Sequence, residues 1–327
     1  METQKFSRRQ ALQATAVLGT ALLLPITKIE AMALPPGKTP EITAEEMAAI
    51  DAALGKKGSY KDAESAYTTP LPRNDLKMTI KGEPVPIPFG FGGWVSFKKT
   101  VDGKSAMVMS DTVLQMEEVN PLISAAHANG LEIAAIHNHF FYEEPRIFYM
   151  HIHGMGTVEE LAKKYANTIR DSKLFPANQP APAAPPTVTG KENFDITALD
   201  TIVKATGTVN GPTYKYTIGR ADLKVIAMGV EMTTNIGLNT WASFAGKQDD
   251  AHIAGDVAML QSEVNTVIKT LRAHNLEVVA VHNHMLGDDP HMIFLHYYGR
   301  GKATDLARGF RAALDVLGKA PTGGMKM

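Results

Sequence analysis

Leu131-Glu132-Ile133-Ala134-Ala135-Ile136-His137-Asn138-His139 returns 145 residues later as Leu276-Glu277-Val278-Val279-Ala280-Val281-His282-Asn283-His284. Each version is a short apolar run of strand character that closes on His-Asn-His. Upstream of the first, residues 117–129 carry acidic residues in an opening turn, Pro121 where a helix tolerates it, and Gly130 where a helix stops. Downstream come a loop with Pro145, a strand over 146–153, and a helix over 157–169 with Val158, Leu161, Ala162, Tyr165 and Ile169 on one stripe. Residues 75–80, 94–98 and 105–114 read as strands placed ahead of this unit. The second version repeats the order, with helix 261–274, strand 276–282, strand 292–298 and helix 303–317.

The repetition extends well beyond the histidines. Arg73-Asn74-Asp75-Leu76-Lys77 matches Arg220-Ala221-Asp222-Leu223-Lys224, Trp94-Val95-Ser96-Phe97 matches Trp241-Ala242-Ser243-Phe244, and Glu118-Val119-Asn120 matches Glu263-Val264-Asn265. The offset is 147 early and 145 later, so one copy differs by two residues in the loop after the Trp strand. The reading is an α+β chain: two tandem copies of a ferredoxin-like mixed sheet with helices on one face, each with a right-handed crossover through its first helix. Residues 34–173 and 191–327 form the two repeat domains, and 174–190, rich in Pro and Ala, form an extended linker that leaves them free to dock.

Net charge is −1 over 327 residues with Lys and Arg scattered, which argues against nucleic acid as a partner. Residues 1–33 read as an export signal of the twin-arginine type, with Ser7-Arg8-Arg9, an apolar run and Ala31-Met32-Ala33 as cleavage site, and the mature chain is expected in the periplasm. The apolar run is too short for a membrane span, so no integral span is expected in the mature chain. Cysteine is absent, so any metal must be held by His, carboxylate, Met or backbone.

With Glu118-Val119-Asn120-Pro121, Ile136-His137-Asn138-His139, Pro145-Arg146, His151, Gly154 and Gly156, and in the second copy Trp241, Val281-His282-Asn283-His284-Met285, Pro290 and Phe294-Leu295-His296-Tyr297-Tyr298-Gly299-Arg300-Gly301, the chain resembles the LppY/LpqO-type family of bacterial exported proteins. That likeness covers nearly all of the mature chain and implies a tandem domain of unknown function. Lipid anchoring does not carry over, because no cysteine is present to be modified.

Eight of the eleven histidines fall in the two matching segments, and three recur in both copies: His137, His139 and His151, with His282, His284 and His296. An antiparallel register through the Pro145 loop would pair His139 with His151 and His137 with His153, and in the second copy His284 with His296 and His282 with Tyr298. Each triplet then suits one transition metal ion, Zn, Cu, Mn or Fe, with Glu143 and Asp288 in the loops as general bases or further ligands. One site per copy is the first expectation; a site shared by facing copies is the alternative. The functions left open are a metal-dependent hydrolase or oxidoreductase, a non-catalytic protein that sequesters metal or binds an envelope ligand, and a bicupin built on His137-x-His139-xxx-Glu143, which the helical patterns disfavour. His127, His252 and His274 read as surface or capping residues, Trp94 and Trp241 as core, Asn138 and Asn283 as groups that satisfy backbone, Met107, Met109 and Met116 as core positions, and Gly90-Phe91-Gly92-Gly93 as a turn without nucleotide-binding character. His153 against Tyr298 and Arg146 against His291 mark the copies as no longer equivalent.

Overall fold

The computed structural model describes residues 39–181 and 187–319. The expected export signal lies outside the described residues, as do 182–186 in the middle of the expected linker. Among the described residues no helix is long and apolar enough to cross a membrane. The first repeat runs α1 (Ala44–Leu54), β1 (Ser59–Lys61), β2 (Ala66–Pro72), β3 (Met78–Ile80), β4 (Glu83–Val85), β5 (Gly92–Lys99), β6 (Ala106–Gln115), α2 (Met116–Ala128), β7 (Glu132–His137), β8 (Glu143–Glu144), β9 (Ile147–Gly156) and α3 (Val158–Ile169). The second runs α4 (Gly190–Asn193), α5 (Ile196–Val203), β10 (Thr208–Asn210), β11 (Thr213–Gly219), β12 (Ile226–Ala227), β13 (Val230–Glu231), β14 (Asn239–Lys247), β15 (Asp250–Leu260), α6 (Val264–Ala273), β16 (Glu277–His282), β17 (Asp288–Asp289), β18 (Met292–Gly301) and α7 (Ala303–Asp315).

Each repeat builds a six-stranded sheet, ordered β1-β2-β5-β6-β9-β7 and β10-β11-β14-β15-β18-β16. The expectation of a mixed sheet is corrected: every neighbouring pair is antiparallel, because β9 inserts between β6 and β7, which α2 connects. The two helical patterns that flank the histidine strand fold as α2 and α3, and the stripe of Val158, Leu161, Ala162, Tyr165 and Ile169 is buried. Thr157 opens α3 through a capping box with Glu160, which satisfies two otherwise orphaned amides.

The two faces of each sheet have different neighbours. Toward the helices, Val108, Leu114, Met150 and Ile152 join Leu122, Leu161 and Tyr165 in one core, and Ile253, Val257, Leu295 and Tyr297 join Leu271 and Phe310 in its counterpart. The other face of each sheet meets the opposite repeat. Val113, Tyr149 and Phe140 pack with Ala245, Ala254 and Tyr298, while Met107 and Met109 pack with Ala258, Met285 and Phe294. The layers are therefore helix, sheet, sheet, helix, and β6 is buried on both sides, with nine of its ten residues in the interior.

The seam is tied by polar contacts in both directions. Glu64 accepts from the backbone and side chain of Asn235 at 2.7 Å, and Glu83 accepts from Arg300 at 2.6 Å and lies 3.4 Å from His252. His252, expected at the surface, is instead buried and bonded to Tyr298. The predicted strand over 75–80 shortens to β3, which pairs with β4 and with β8 to clamp the loop that follows His139; β12, β13 and β17 do the same after His284.

The matched arginines explain another part of the repeat. Arg73 and Arg220 are buried, and each guanidinium joins an aspartate two residues on to the glutamate near the start of α2 or α6, Glu118 or Glu263. Glu118 also accepts from the Gln115 amide, and Glu263 from the Leu260 amide. At the ends of the stretch expected as an extended linker, Leu174 is in the first core and the Gly190 amide donates to the Gly211 carbonyl.

Candidate metal centre

The histidine strands do not take the expected register. β7 pairs His137 with Tyr149 and Ala135 with His151, after a bulge between Ile133 and Ala135; β16 pairs His282 with Phe294 and Ala280 with His296 after the matching bulge. The extra residue sends Ile133 to the helix side and His137 to the seam, a switch that simple alternation does not anticipate. His139 and His284 lie beyond the strand ends. Each lies flat on the aromatic ring of the neighbouring strand, His139 on Tyr149 at 3.2 Å and His284 on Phe294 at 3.5 Å between centroids.

The six recurring imidazoles meet in the seam in one interleaved cluster. His137 stacks on His282 at 3.7 Å, His139 lies 3.8 Å from His296, and His151 lies 4.1 Å from His284. All six are buried. Three overlapping groups have ligand atoms within 4.8 Å of one another: His137, His139 and His296; His137, His151 and His282; and Asp256, His282 and His284. Every group that contains three histidines draws on both repeats.

Four of the rings are oriented by carbonyls behind them. His139 Nδ1 faces the Gly90 carbonyl at 3.1 Å, His151 Nδ1 that of Ser110 at 3.1 Å, His284 Nδ1 that of Gly237 at 2.8 Å, and His296 Nδ1 that of Gly255 at 3.1 Å. A carbonyl only accepts, so each Nδ1 carries the proton, and Nε2 of His139, His151 and His296 presents a lone pair to the seam. Nε2 of His139, His151 and His296, and both nitrogens of His137 and His282, have no hydrogen-bond partner.

Two carboxylates complete the cluster, and both are absent from the sequence-based set. Asp111, in the middle of β6, has Oδ2 4.0 Å from His139 Nε2, and Asp256, at the equivalent place in β15, has Oδ2 3.0 Å from His284 Nε2. The 3.0 Å contact between His284 Nε2 and Asp256 is a hydrogen-bond distance, which a proton or a metal ion between the two atoms satisfies. A charged side chain in the interior of a doubly buried strand, repeated at the same offset of 145, is the sequence signal that identifies them.

The surroundings hold these groups in unequal states. Burial, reinforced by neighbouring imidazoles, keeps His137, His139, His151 and His282 well below the ordinary histidine range. Burial lowers His296 to about 4, although Asp256 pulls the other way. Burial and the Asp256 carboxylate raise Asp111 well above the ordinary range. Burial acts in the same sense on Asp256, but His296 and His284 overcome it and its net shift is downward.

A cavity of about 480 Å³ opens beside the cluster, lined by His139, His284, Asp111 and Asp256 together with Trp94 and Trp241. Trp94 and Trp241, expected as core, pack half-buried against the apolar clusters of the seam and also wall this cavity. Lys215 Nζ lies 4.5 Å over the Trp241 ring, and burial lowers its ammonium to about 8 against the pull of Asp111 and Asp256. Gly90 and Gly237 sit where the opposite repeat's tryptophan arrives, 3.7 Å and 3.4 Å from Cη2 to the place of a Cβ. Gly237 is at φ +93°, a backbone conformation that strains any L side chain, and Met109 Cε would have to move from 2.8 Å to make room for one.

Glu143 and Asp288, the loop carboxylates expected to act as bases, belong neither to these groups nor to the cavity lining. Glu143 accepts from the Ile147 amide and Arg146, and Asp288 from the Met292 amide and His291, so each is spent on the start of a long strand. Asn138 donates to the Ile147 carbonyl, His274 bonds the Thr270 carbonyl at the end of α6, and His127 is exposed on α2. Met107 and Met109 are core residues, whereas Met116 is exposed. His153 is buried beside Glu132, 3.8 Å away, on the strand face of His151.

A family model described as Domain of Unknown Function (DUF1259) matches residues 48–171 and again 197–316, once in each repeat. No curated protein matches the chain. Among solved structures, a double-ringed trimeric shell protein from the RMM microcompartment shares 10% identity, with 66% of this chain and 83% of that chain covered, at a TM-score of 0.18. A likeness at that score carries nothing for this chain.

Proposed function

The chain belongs to the family described as Domain of Unknown Function (DUF1259), carries its domain in two tandem copies, and from that premise we propose that it is an exported protein whose activity depends on a divalent transition metal bound between the copies. Within the family we assign it to the LppY/LpqO type on the motifs around His137 and His282. Export by the twin-arginine route to the periplasm rests on Ser7-Arg8-Arg9 and the small-residue site at Ala31-Met32-Ala33.

The observation that carries the metal reading is the set of buried imidazole nitrogens facing the seam without partners, three of the rings turned there by backbone carbonyls. A buried polar atom left unmatched costs roughly 1–3 kcal/mol, and an ion matches several at once. The imidazoles with lowered basicity are held neutral, the state that ligates. Nitrogen donors with carboxylate oxygen and no sulfur suit Zn, Cu, Mn or Fe.

The cavity beside the cluster favours catalysis over storage. A metal held there supplies Lewis-acid or redox chemistry to a group of the substrate. Trp94 and Trp241 offer flat apolar walls, Lys215 offers a positive charge to an anionic group, and Asp111 and Asp256 line the same cavity beside the imidazoles. Asp111 and Asp256 take the role first expected of Glu143 and Asp288. The second reading, a non-catalytic protein that sequesters metal or binds an envelope ligand, draws on the depth at which the imidazoles are buried.

Metal analysis of protein purified without chelators tests the reading. We expect near-stoichiometric transition metal in the natural chain and its loss in a His137→Ala, His282→Ala double variant. Folded protein that is metal-free and unchanged in thermal stability with Zn²⁺, Cu²⁺, Mn²⁺ or Fe²⁺ contradicts it. A screen of esters, phosphoesters and phenols on the loaded protein separates catalyst from carrier.

A further inference from the structure

Eight donors converge in the seam, six imidazoles and two carboxylates, and a single ion with four ligands leaves half of them unmatched. Proximity alone does not partition them, since His137, His151 and His282 also form a compact group and His282 lies 4.7 Å from His296 against 5.7 Å from His151; the division follows the internal repeat. The offset of 145 maps His137 onto His282, His139 onto His284, His151 onto His296 and Asp111 onto Asp256. Under that mapping the compact group of His137, His139 and His296 has as its mate His282, His284 and His151. The distances follow the mapping: His139 to His296 is 3.8 Å and His284 to His151 is 4.1 Å. Asp111 stands 4.0 Å from His139 of the first group, while Asp256 stands 3.0 Å from His284 of the second and 3.9 Å from His296 of the first. The stacked pair His137 and His282, 3.7 Å apart, lies where the two groups meet.

We infer that the seam holds two divalent transition metal ions, one on His137, His139 and His296 with Asp111, the other on His282, His284 and His151 with Asp256. Each ion takes two imidazoles from one repeat and one from the other, so neither copy contains a complete site. This also accounts for the interleaving itself, since one ion per repeat would need no crossing of His296 and His151. The two sites are not identical. Their carboxylates stand at different distances, and the ring beneath His139 is Tyr149, whose hydroxyl donates to the Gly90 carbonyl at 2.8 Å, whereas Phe294 lies beneath His284. Two binding steps of different affinity are the consequence.

The inference rests on the metal reading proposed above, and a titration of the full chain with Zn²⁺ alone, read by calorimetry and by metal content after gel filtration, separates the two. Two ions per chain, in two resolvable steps, is the expected result. One ion per chain overturns the pair and leaves the metal reading intact, and no bound ion overturns both. A His139→Ala, His296→Ala variant is expected to keep one ion of the two; loss of both at once shows that the groups are not separate sites and overturns the division. Loading the unaltered chain with Cu²⁺ requires no variant to fold: a spin-coupled pair in electron paramagnetic resonance is expected, and isolated Cu²⁺ spectra at full loading contradict it.

Discussion

His137 and His282 stand 145 residues apart in the chain and stack with ring centroids 3.7 Å apart and planes inclined by 18°. Neither ring has a hydrogen-bond partner on either nitrogen. In the apo fold they therefore contribute little beyond their volume, and their worth lies in what they bind. We predict that His137→Ala lowers the melting temperature of apo protein only slightly but removes most of the stabilisation by metal, which for a ligand at 100 times its Kd is about 2.7 kcal/mol. Thermal unfolding with and without Zn²⁺ checks this; equal loss in both conditions contradicts it.

The buried imidazoles set the acid response of the apo protein. In the unfolded chain histidine titrates near ~6.5, whereas in the fold burial lowers His137, His139, His151 and His282 well below that value and His296 to about 4. Above the unfolded value neither state binds these protons and their neutral form is at no disadvantage. As pH falls from about 6.5 to about 4, the unfolded chain takes up protons that the fold refuses, and stability drops by about 1.4 kcal/mol per pH unit for each such proton. Asp111, shifted upward, acts in the opposite sense but is one group against five. Urea unfolding midpoints are expected to fall steadily over this window, and a flat profile contradicts the account.

Asp111 and Asp256 occupy equivalent strand positions but should respond differently to amidation. In the apo protein burial and the Asp256 carboxylate favour the neutral form of Asp111, so Asp111→Asn changes a carboxylic acid into a near-isostere and should cost under about 1 kcal/mol. Asp256, whose carboxyl is shifted downward, lies 3.0 Å from His284, and Asp256→Asn should cost about 3–5 kcal/mol by the loss of a buried charged partner. Both should weaken metal binding. Chemical denaturation of the two variants without metal, followed by Zn²⁺ titration, checks the difference.

The arginine pair anchors each copy apart from the metal. Arg220 joins Asp222, Glu263 and the Ala258 carbonyl, with Glu263 equally buried. Arg220→Ala leaves that carboxylate buried without its partner, and we expect a loss of about 3–5 kcal/mol in urea unfolding of the apo protein. Metal stoichiometry of the folded fraction should not change.

Much of this architecture is legible in the residues. β6, α2, β7, β9 and α3 follow from alternation, from Gly130 after α2 and from the apolar stripe of α3, because those signals are local. The recurrence of His137, His139 and His151 at 145 residues marks the seam side of both sheets. What escapes local reading is set by one inserted residue and by distant packing. The bulges at Ile133/Ala135 and Val278/Ala280 shift the register, so the expected pairing of His139 with His151 gives way to contacts across the repeats. Asp111 and Asp256 are hidden inside strands that read as ordinary apolar elements, and Glu143 and Asp288 draw attention only because they stand close to the histidines in sequence. Trp94 and Trp241 have core composition, and only the facing of the two sheets turns them into cavity walls.

The central claim is that imidazoles from both repeats share a metal. Anomalous diffraction from crystals of the Zn²⁺-loaded chain, collected on either side of the zinc absorption edge, tests it most directly. Density is expected in the seam within bonding distance, about 2.0–2.1 Å, of Nε2 of both His139 and His296, which belong to different copies. Zinc bound by the histidines of one repeat only, or bound at Glu143 or Asp288 away from the seam, would contradict it.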